Sequence, residues 1–464
     1  MVILLVDLPV DVLFHVVSHM RLQDAPSLAG VSRTLRALST DRTFWVIALK
    51  TSPSMHSVCN PHKIDDLHSM DLVALKELAR QTIISDIHLS HLDENWSRPR
   101  PQIMGDVRRW KLGDRSILEA NHLFQFPGSE LFIFYSGKLL KWFDFETGES
   151  SLLLGLDGYV GSAAYDFLPD KSVLLGLALR GGSRFNVPML VFINIRRDKN
   201  GLTARVVFHP PLDTDSDCQK PFVSSRIVGA VQSLAGETQI LAYDLLSGAS
   251  AVIETDIPLN YTISKRLDFS FYKESLYMLA DEGRRAIVYC CPRESLPYGN
   301  HCAKRSFITF GEPEPMQFST KIWKRRGPVC SQMLPDASFV KIHDSLGSPG
   351  SHFVTTFRFW DRADLWPTAR PREMIMSGMC SGELTMHISP TGQNVVASLL
   401  MPGQQGCSLV LVRSHASRES CSSHELELPV GAGGGPPPNV LAVDDYRGVV
   451  WLIEGGDLMA VPYA

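Results

Sequence analysis

The residues that could carry out chemistry are few, and their spacing decides against most of them. Gly378-Met379-Cys380-Ser381-Gly382 has the outline of a nucleophile elbow, in which a strained strand-to-helix turn exposes a thiol or hydroxyl beside a base and an acid. Leu384-Thr385-Met386-His387-Ile388 follows as another strand, and His387 alone makes no triad, so a Gly-rich β-turn is the better reading. Asp213-Thr214-Asp215-Ser216-Asp217 begins like a calcium loop. Cys218 takes the place of its Gly, however, and Ser224 that of its bidentate Glu, which leaves a solvated acidic loop. Cys290, Cys291, His301 and Cys302 lack the spacing of a closed zinc site and read as strand-edge thiols. Lys321-Ile322-Trp323-Lys324-Arg325-Arg326 has the pattern of a nuclear-import signal or a binding rim, with a solvated loop as the plainer reading. The chain holds no Walker loop and no G-x-G-x-x-G. The expectation is a protein with no catalytic residue, no metal and no cofactor of its own.

Association is then what remains, and the composition sets its terms. A chain of 464 residues is long for one core, so two or more units are expected. Hydrophobic content of 44% with 20% charged residues describes a folded protein rather than a disordered one. Lys+Arg 45 against Asp+Glu 49 gives a net charge of −4 and no overall attraction to nucleic acid or anionic membrane. Val2-Ile3-Leu4-Leu5-Val6 has no basic residue before it and is cut short by Asp7, which argues against a signal peptide. No run approaches the length needed to span a bilayer. The nine cysteines are scattered, with no C-x-x-C pair, so reduced thiols in the cytoplasm or nucleus are expected.

The first fifty residues predict three short amphipathic helices. Pro9 suits a helix start, where its fixed φ fits and its missing N–H is no loss. Leu13, Val16, Val17 and Met20 then recur as one apolar stripe. Asp24 is placed to cap a second helix carrying Leu28, Val31, Leu35 and Leu38, and Asp41 a third that delivers Phe44, Trp45, Ile47 and Leu49. Such a unit lies below the size at which small domains become comfortably stable, so it needs a partner surface.

This order of Leu8-Pro9, an acidic residue at Asp11, apolar helix positions, Val31-Ser32-Arg33 and Phe44-Trp45 resembles an F-box. The resemblance implies docking on the Skp adaptor of a cullin–RING ubiquitin ligase. It places adaptor contacts at Leu8 and Pro9, a shared apolar face at Leu13, Val16, Val17, Leu28, Val31 and Leu35, and closing anchors at Phe44 and Trp45. Asp11 stands where the family more often has Glu, and Pro26 sits in a first turn, where Pro is tolerated. A helical hairpin packed on its own domain is the alternative.

Residues 51–117 read as a linker, with a helix at Asp71–Ala79 and then the Pro-rich Asp93–Pro101, where Trp96 could anchor the connector. Beyond Leu118, strand-like runs of five to eight residues alternate with turn clusters. Phe143-Asp144-Phe145-Glu146-Thr147-Gly148 and Tyr243-Asp244-Leu245-Leu246-Ser247-Gly248 echo one another, with Ile193-Asn194-Ile195 midway between them. Strand–turn–strand units recur at Phe167–Gly176, Phe271–Met278, Ile388–Val396 and Val443–Trp451. A period of about fifty residues over roughly 350 gives about seven propeller blades. These resemble degenerate WD40-type blades; a pair of β-sandwiches is the runner-up. Loops are expected at Glu312–Pro315, Ser345–Gly350 and Gly431–Pro438, and an irregular insert at Trp360–Arg372.

The expected architecture is α plus all-β: a three-helix F-box (1–50), a helical linker with a Pro-rich connector (51–117) and a β-propeller of about seven blades (118–464). The combination resembles fungal F-box proteins, which implies a substrate receptor for an SCF-type ligase and a fungal source. Its partners would be the Skp adaptor, through it the cullin–RING assembly, and a protein target, with no nucleic acid and no membrane. A non-ligase scaffold and an enzyme built in the propeller channel remain as alternatives.

Overall fold

The computed structural model describes residues 5, 8–52, 55, 64–90, 103–111, 121–126, 129–168, 170–181, 188–198, 201–210, 217–234, 236–257, 267–272, 274–281 and 285–299. Beyond 300 it describes residues 306–308, 316–317, 330–333, 339–344, 351–357, 374–377, 385–389, 394–400, 407–414, 421–429, 438–444, 446–454 and 456–463. The Pro-rich connector with Trp96, the Gly378–Gly382 turn, His301, Cys302, the basic run at 321–326, the acidic loop before Asp217, the loops at 312–315, 345–350 and 431–437, and the insert at 360–372 all fall outside these residues.

The N-terminal region is helical: α1 (Val10–Ser18), α2 (Ala25–Val31), α3 (Arg33–Leu38), α4 (Arg42–Lys50) and α5 (Leu72–Ser90). The single second helix expected from Asp24 onward is two. Ser32 is extended (φ −149°) and its Oγ accepts the Leu35 N–H at 3.1 Å, so a short hydroxyl side chain ends α2 and caps α3. Asp24 makes no capping hydrogen bond. Asp41 caps α4 as expected, accepting the Thr43 N–H at 2.8 Å. α5 runs past the expected Ala79, and its start is held by Asp71, whose Oδ1 accepts the Ala74 N–H at 2.7 Å.

The rest is a ring of antiparallel sheets, preceded by a lone strand β1 (Arg108–Lys111). The first sheet is β2 (Asn121–Gln125), β3 (Leu131–Ser136), β4 (Leu139–Asp144) and β5 (Ser150–Gly155). The second is β6 (Tyr159–Phe167), β7 (Val173–Arg180), β8 (Met189–Asp198) and β9 (Gly201–Phe208). The third is β10 (Asp217–Val223), β11 (Ile227–Leu234), β12 (Glu237–Asp244) and β13 (Ser250–Thr255). The fourth holds β14 (Leu267–Tyr272), β15 (Ser275–Asp281) and β16 (Arg285–Cys291). The chain then places β17 (Ser306–Ile308) parallel to β13 on the third sheet before β18 (Met316–Gln317) returns to β16. β19 (Cys330–Met333) to β22 (Met374–Ser377) make the fifth sheet, and β23 (Thr385–Ile388) to β26 (Cys421–Leu426) the sixth. β27 (Asn439–Asp444), β28 (Val449–Glu454) and β29 (Asp457–Pro462) begin the seventh, which β1 completes by pairing antiparallel with β29, Trp110 opposite Leu458.

Seven sheets among the described residues is the number the spacing predicted, and the ring replaces the two-sandwich alternative. Burial shows why. β7 is buried from Val173 to Leu179 without alternation. Its odd residues Val173, Leu175 and Leu177 pack with Ile133 and Leu140 of the first sheet, while Leu174 and Ala178 pack with Val228 and Ala230 of the third. A sheet covered on both faces selects continuous apolar strands. The same packing joins sheets three and four, sheets six and seven, and finally the seventh to the first through Trp451, Phe132, Phe143 and Phe145. First strands touch at most of the junctions, β6 with β10, β10 with β14, β14 with β19, β23 with β27 and β27 with β2, which places them innermost, as in a β-propeller. Because β1 lies at 108–111, the ring begins inside the stretch expected to be linker; four residues reading Arg-Arg-Trp-Lys carry too little apolar pattern to announce a strand.

The echo at Asp144 and Asp244 is one turn used twice. Asp144 Oδ1 accepts the Glu146 N–H, Asp244 Oδ1 accepts the Leu246 N–H, and Gly148 and Gly248 close the turns at φ +74° and +72°. A related turn recurs at Asp444, which accepts the Tyr446 and Arg447 N–H groups before Gly448 at φ +63°.

Candidate functional site

The helical region holds its own core on one side only. Pro9 (φ −53°, ψ 149°) sets the entry to α1, its carbonyl accepting the Leu13 N–H at 3.0 Å. Leu13 and Val17 then turn inward. Phe44 and Trp45 of α4 are buried and meet edge to face at 5.2 Å, and the Trp45 indole donates to the Ser39 carbonyl at 2.8 Å, fixing the α3–α4 turn. Lys76 of α5 lies 6.0 Å from the Trp45 ring centroid. The cluster is completed by Leu75, Leu78 and Ala79 of α5, by Met55 and Leu67, and by Tyr446 from the ring turn at Asp444.

The residues expected to form a docking face therefore divide into three groups. Leu13, Val17, Leu35, Phe44 and Trp45 are buried in the chain. Leu8, Val16 and Leu28 are half-buried. Pro9 is exposed, and Val31, the last residue of α2, is 73% exposed. Two apolar residues join the exposed group that the sequence reading did not single out, Val10 at 56% and Val12 at 38%. Val12 stands off the Leu13–Val17 stripe, and an apolar residue out of phase with its helix's buried stripe is the signal that could have found it; Val10 shares the stripe but is the first residue of α1.

An apolar surface of this kind associates; it does not react. Among the described residues no group of three or more His, Cys, Asp or Glu is placed to hold a metal ion, and no helix is long and apolar enough to cross a membrane. The perturbed groups of the ring have structural causes. Asp244 is held well below the usual carboxylate range by Arg226, which lies 2.7 Å away, and by the N–H groups of Leu246 and Gly299. Burial pushes Asp166 up to about 6 and holds His387 down at about 4. Cys290 and Cys291 are free thiols, the second pushed up to about 12 by burial.

Comparison with protein families places an F-box domain at residues 5–47. The comparison with curated proteins finds no match. Among solved structures, a putative 6-phosphogluconolactonase from Bacteroides fragilis aligns at 14% identity and TM-score 0.40, covering 74% of this chain and 92% of that one. The WD40 domain of SCAP from fission yeast aligns at 12% identity and TM-score 0.35, over 72% and 82%. A chain of the mitotic checkpoint complex aligns at 11% and 0.40, over 80% and 99%. Likenesses this low carry no weight for fold or function; the ring is established by its own strand pairing and the helical region by the domain match.

Proposed function

We propose, from the F-box domain at residues 5–47, that this chain is the substrate-receptor subunit of an SCF-type cullin–RING ubiquitin ligase. The helices dock on a Skp-type adaptor and the β-ring recruits a protein target. The observation that carries this reading is the division of the F-box apolar residues. Leu13, Val17, Leu35, Phe44 and Trp45 are buried among the helices, while Pro9, Val10, Val31 and, in part, Val12 stay exposed among the described residues. In this role the chain performs no covalent step. It raises the local concentration of its target beside a charged ubiquitin-conjugating enzyme, and the gain comes from linkage rather than from new contacts. Free thiols at Cys290 and Cys291 suit a reducing compartment, cytoplasm or nucleus.

The test is co-purification of the full chain with a Skp-type adaptor, wild type against Leu8→Ala with Pro9→Ala. The double variant is expected to lose the adaptor while its β-ring melts at the wild-type temperature. Adaptor retained by the double variant, or no adaptor bound by the wild type, overturns the docking role. Ubiquitin transfer by the reconstituted complex then separates a ligase receptor from a scaffold.

A further inference from the structure

Two exposed histidines lie four residues apart at the end of α1, His15 in its last turn and His19 at its C-cap (φ −107°, ψ −3°). Their rings meet edge to face with centroids 4.7 Å apart and planes at 88°. Residues at i and i+4 share a helix face, which is why paired imidazoles at this spacing chelate metal ions. Among the described residues neither ring takes a hydrogen bond from another side chain, whereas His68 is engaged, its Nε2 lying 2.9 Å from Lys50 Nζ. No third acid, thiol or imidazole joins the pair among the described residues. The site thus offers two nitrogens and leaves an ion's remaining positions to water.

The same face carries Val12, which is exposed, and Val16, which is half-buried. Val12 stands three residues before His15 and Val16 three before His19, so each valine neighbours one ring. We propose that His15 and His19 form a binding site for a borderline divalent transition metal, Zn²⁺, Cu²⁺ or Ni²⁺, and that an ion held there weakens adaptor docking. Imidazole suits these ions and not Mg²⁺ or Ca²⁺, which prefer oxygen. A hydrated dication beside Val12 and Val16 puts charge and bound water on a surface that docking would dehydrate, and an unpaired charge is costly to desolvate. The metal site stands on the approach of the two exposed rings at the end of α1; its effect on docking rests on the function proposed above.

The test uses the full chain, wild type and the variants His15→Ala, His19→Ala and His19→Gln, titrated with Zn²⁺ and Cu²⁺. Each single variant is expected to bind at least tenfold more weakly at this site, and the Cu²⁺ complex to show electron-spin coupling to two imidazole nitrogens that each variant loses. Both residues are exposed, so the variants keep the wild-type melting temperature in metal-free buffer. Equal affinity in wild type and variants, or no two-nitrogen signature, overturns the site. Adaptor affinity is then measured with Zn²⁺ and with chelator. Weakening by Zn²⁺ in wild type but not in the variants supports the second half, and an unchanged or strengthened affinity overturns it while leaving the metal site standing. Failure of the metal-free wild type to bind adaptor would instead strike the docking reading itself.

Discussion

Val31→Ala and Val31→Asp separate docking from folding more cleanly than any other pair of changes. Val31 ends α2 and is 73% exposed, so the chain draws little stability from its side chain. Fully burying a valine is worth about 1.5–3 kcal/mol, and three-quarters of that is about 1–2 kcal/mol still to be gained when a partner covers it. Val31→Ala should therefore weaken adaptor binding by roughly five- to thirty-fold, at about 1.4 kcal/mol per factor of ten. Val31→Asp leaves a carboxylate to be desolvated against the partner and should weaken it at least about a hundredfold. Neither should change the unfolding free energy by more than about 0.5 kcal/mol, as for other surface substitutions. Phe44→Ala is the control, because Phe44 is fully buried and its loss should cost about 3–5 kcal/mol of helical stability. Isothermal titration with the adaptor and urea denaturation of the same samples give both numbers. Val31→Asp with wild-type affinity would refute the reasoning, since the uncovered valine would then face no partner.

The ring supplies three more predictions. Gly229→Ala puts a Cβ 1.9 Å from the Leu241 carbonyl and 2.4 Å from the Phe222 ring, an overpacking of about 3 kcal/mol or more that should appear as a lowered melting temperature. Arg108→Ala removes a two-pronged pair with Glu130 at 2.7 and 2.9 Å and the stacking on Trp110 and Trp451; it should loosen β1 by about 1–2 kcal/mol, read as faster amide exchange across the β1–β29 pairing. Burial lowers His387 from 6.5 to about 4, so the unfolded chain binds the extra proton and stability should fall by up to about 3 kcal/mol as pH drops through that window. Asp166, raised to about 6, acts with the opposite sign between its ordinary value and 6, so denaturation of His387→Leu should show that reversed slope between about pH 6 and 5, above the range where lowered carboxylates such as Asp244 begin to protonate in the unfolded chain.

Much of this was legible in the residues because it depends on local pattern. The Asp144 and Asp244 turns, the capping by Asp41 and the blade period are written within a few positions of one another. Three things were not. Whether Leu35 faces inward and Val31 outward depends on the break at Ser32, where a side-chain hydrogen bond outweighed a continuous apolar spacing. The strand at Arg108–Lys111 exists because β29, near the other end of the chain, offers an unpaired edge. β17 leaves its own neighbourhood to pair with β13, again a tertiary choice that Ser306-Phe307-Ile308 does not encode by itself.

The contrast between the two halves shows which of them would take the adaptor under the function proposed above. The second sheet has both faces covered by its neighbours, and the seventh is completed by β1, so among the described residues these sheets bury their apolar faces against one another. Among the described residues the ring's exposed large apolar side chains lie mostly on the first two sheets, Leu139 and Leu152 on the first and Tyr159, Tyr165, Val206 and Val207 on the second. The helices close differently. α5 and Tyr446 cover one side, and the Asp444 turn that carries Tyr446 is fixed by the two N–H groups its carboxylate accepts, so the helices are seated on the ring by a rigid element. Nothing among the described residues covers Pro9, Val10, Val12 and Val31, which lie within one short stretch of chain. Sheets that cover one another can present variable turns without losing stability, while a helical unit covered on one side has surface left to bury. The division of labour proposed above, docking by the helices and recognition by the ring, matches that difference in closure.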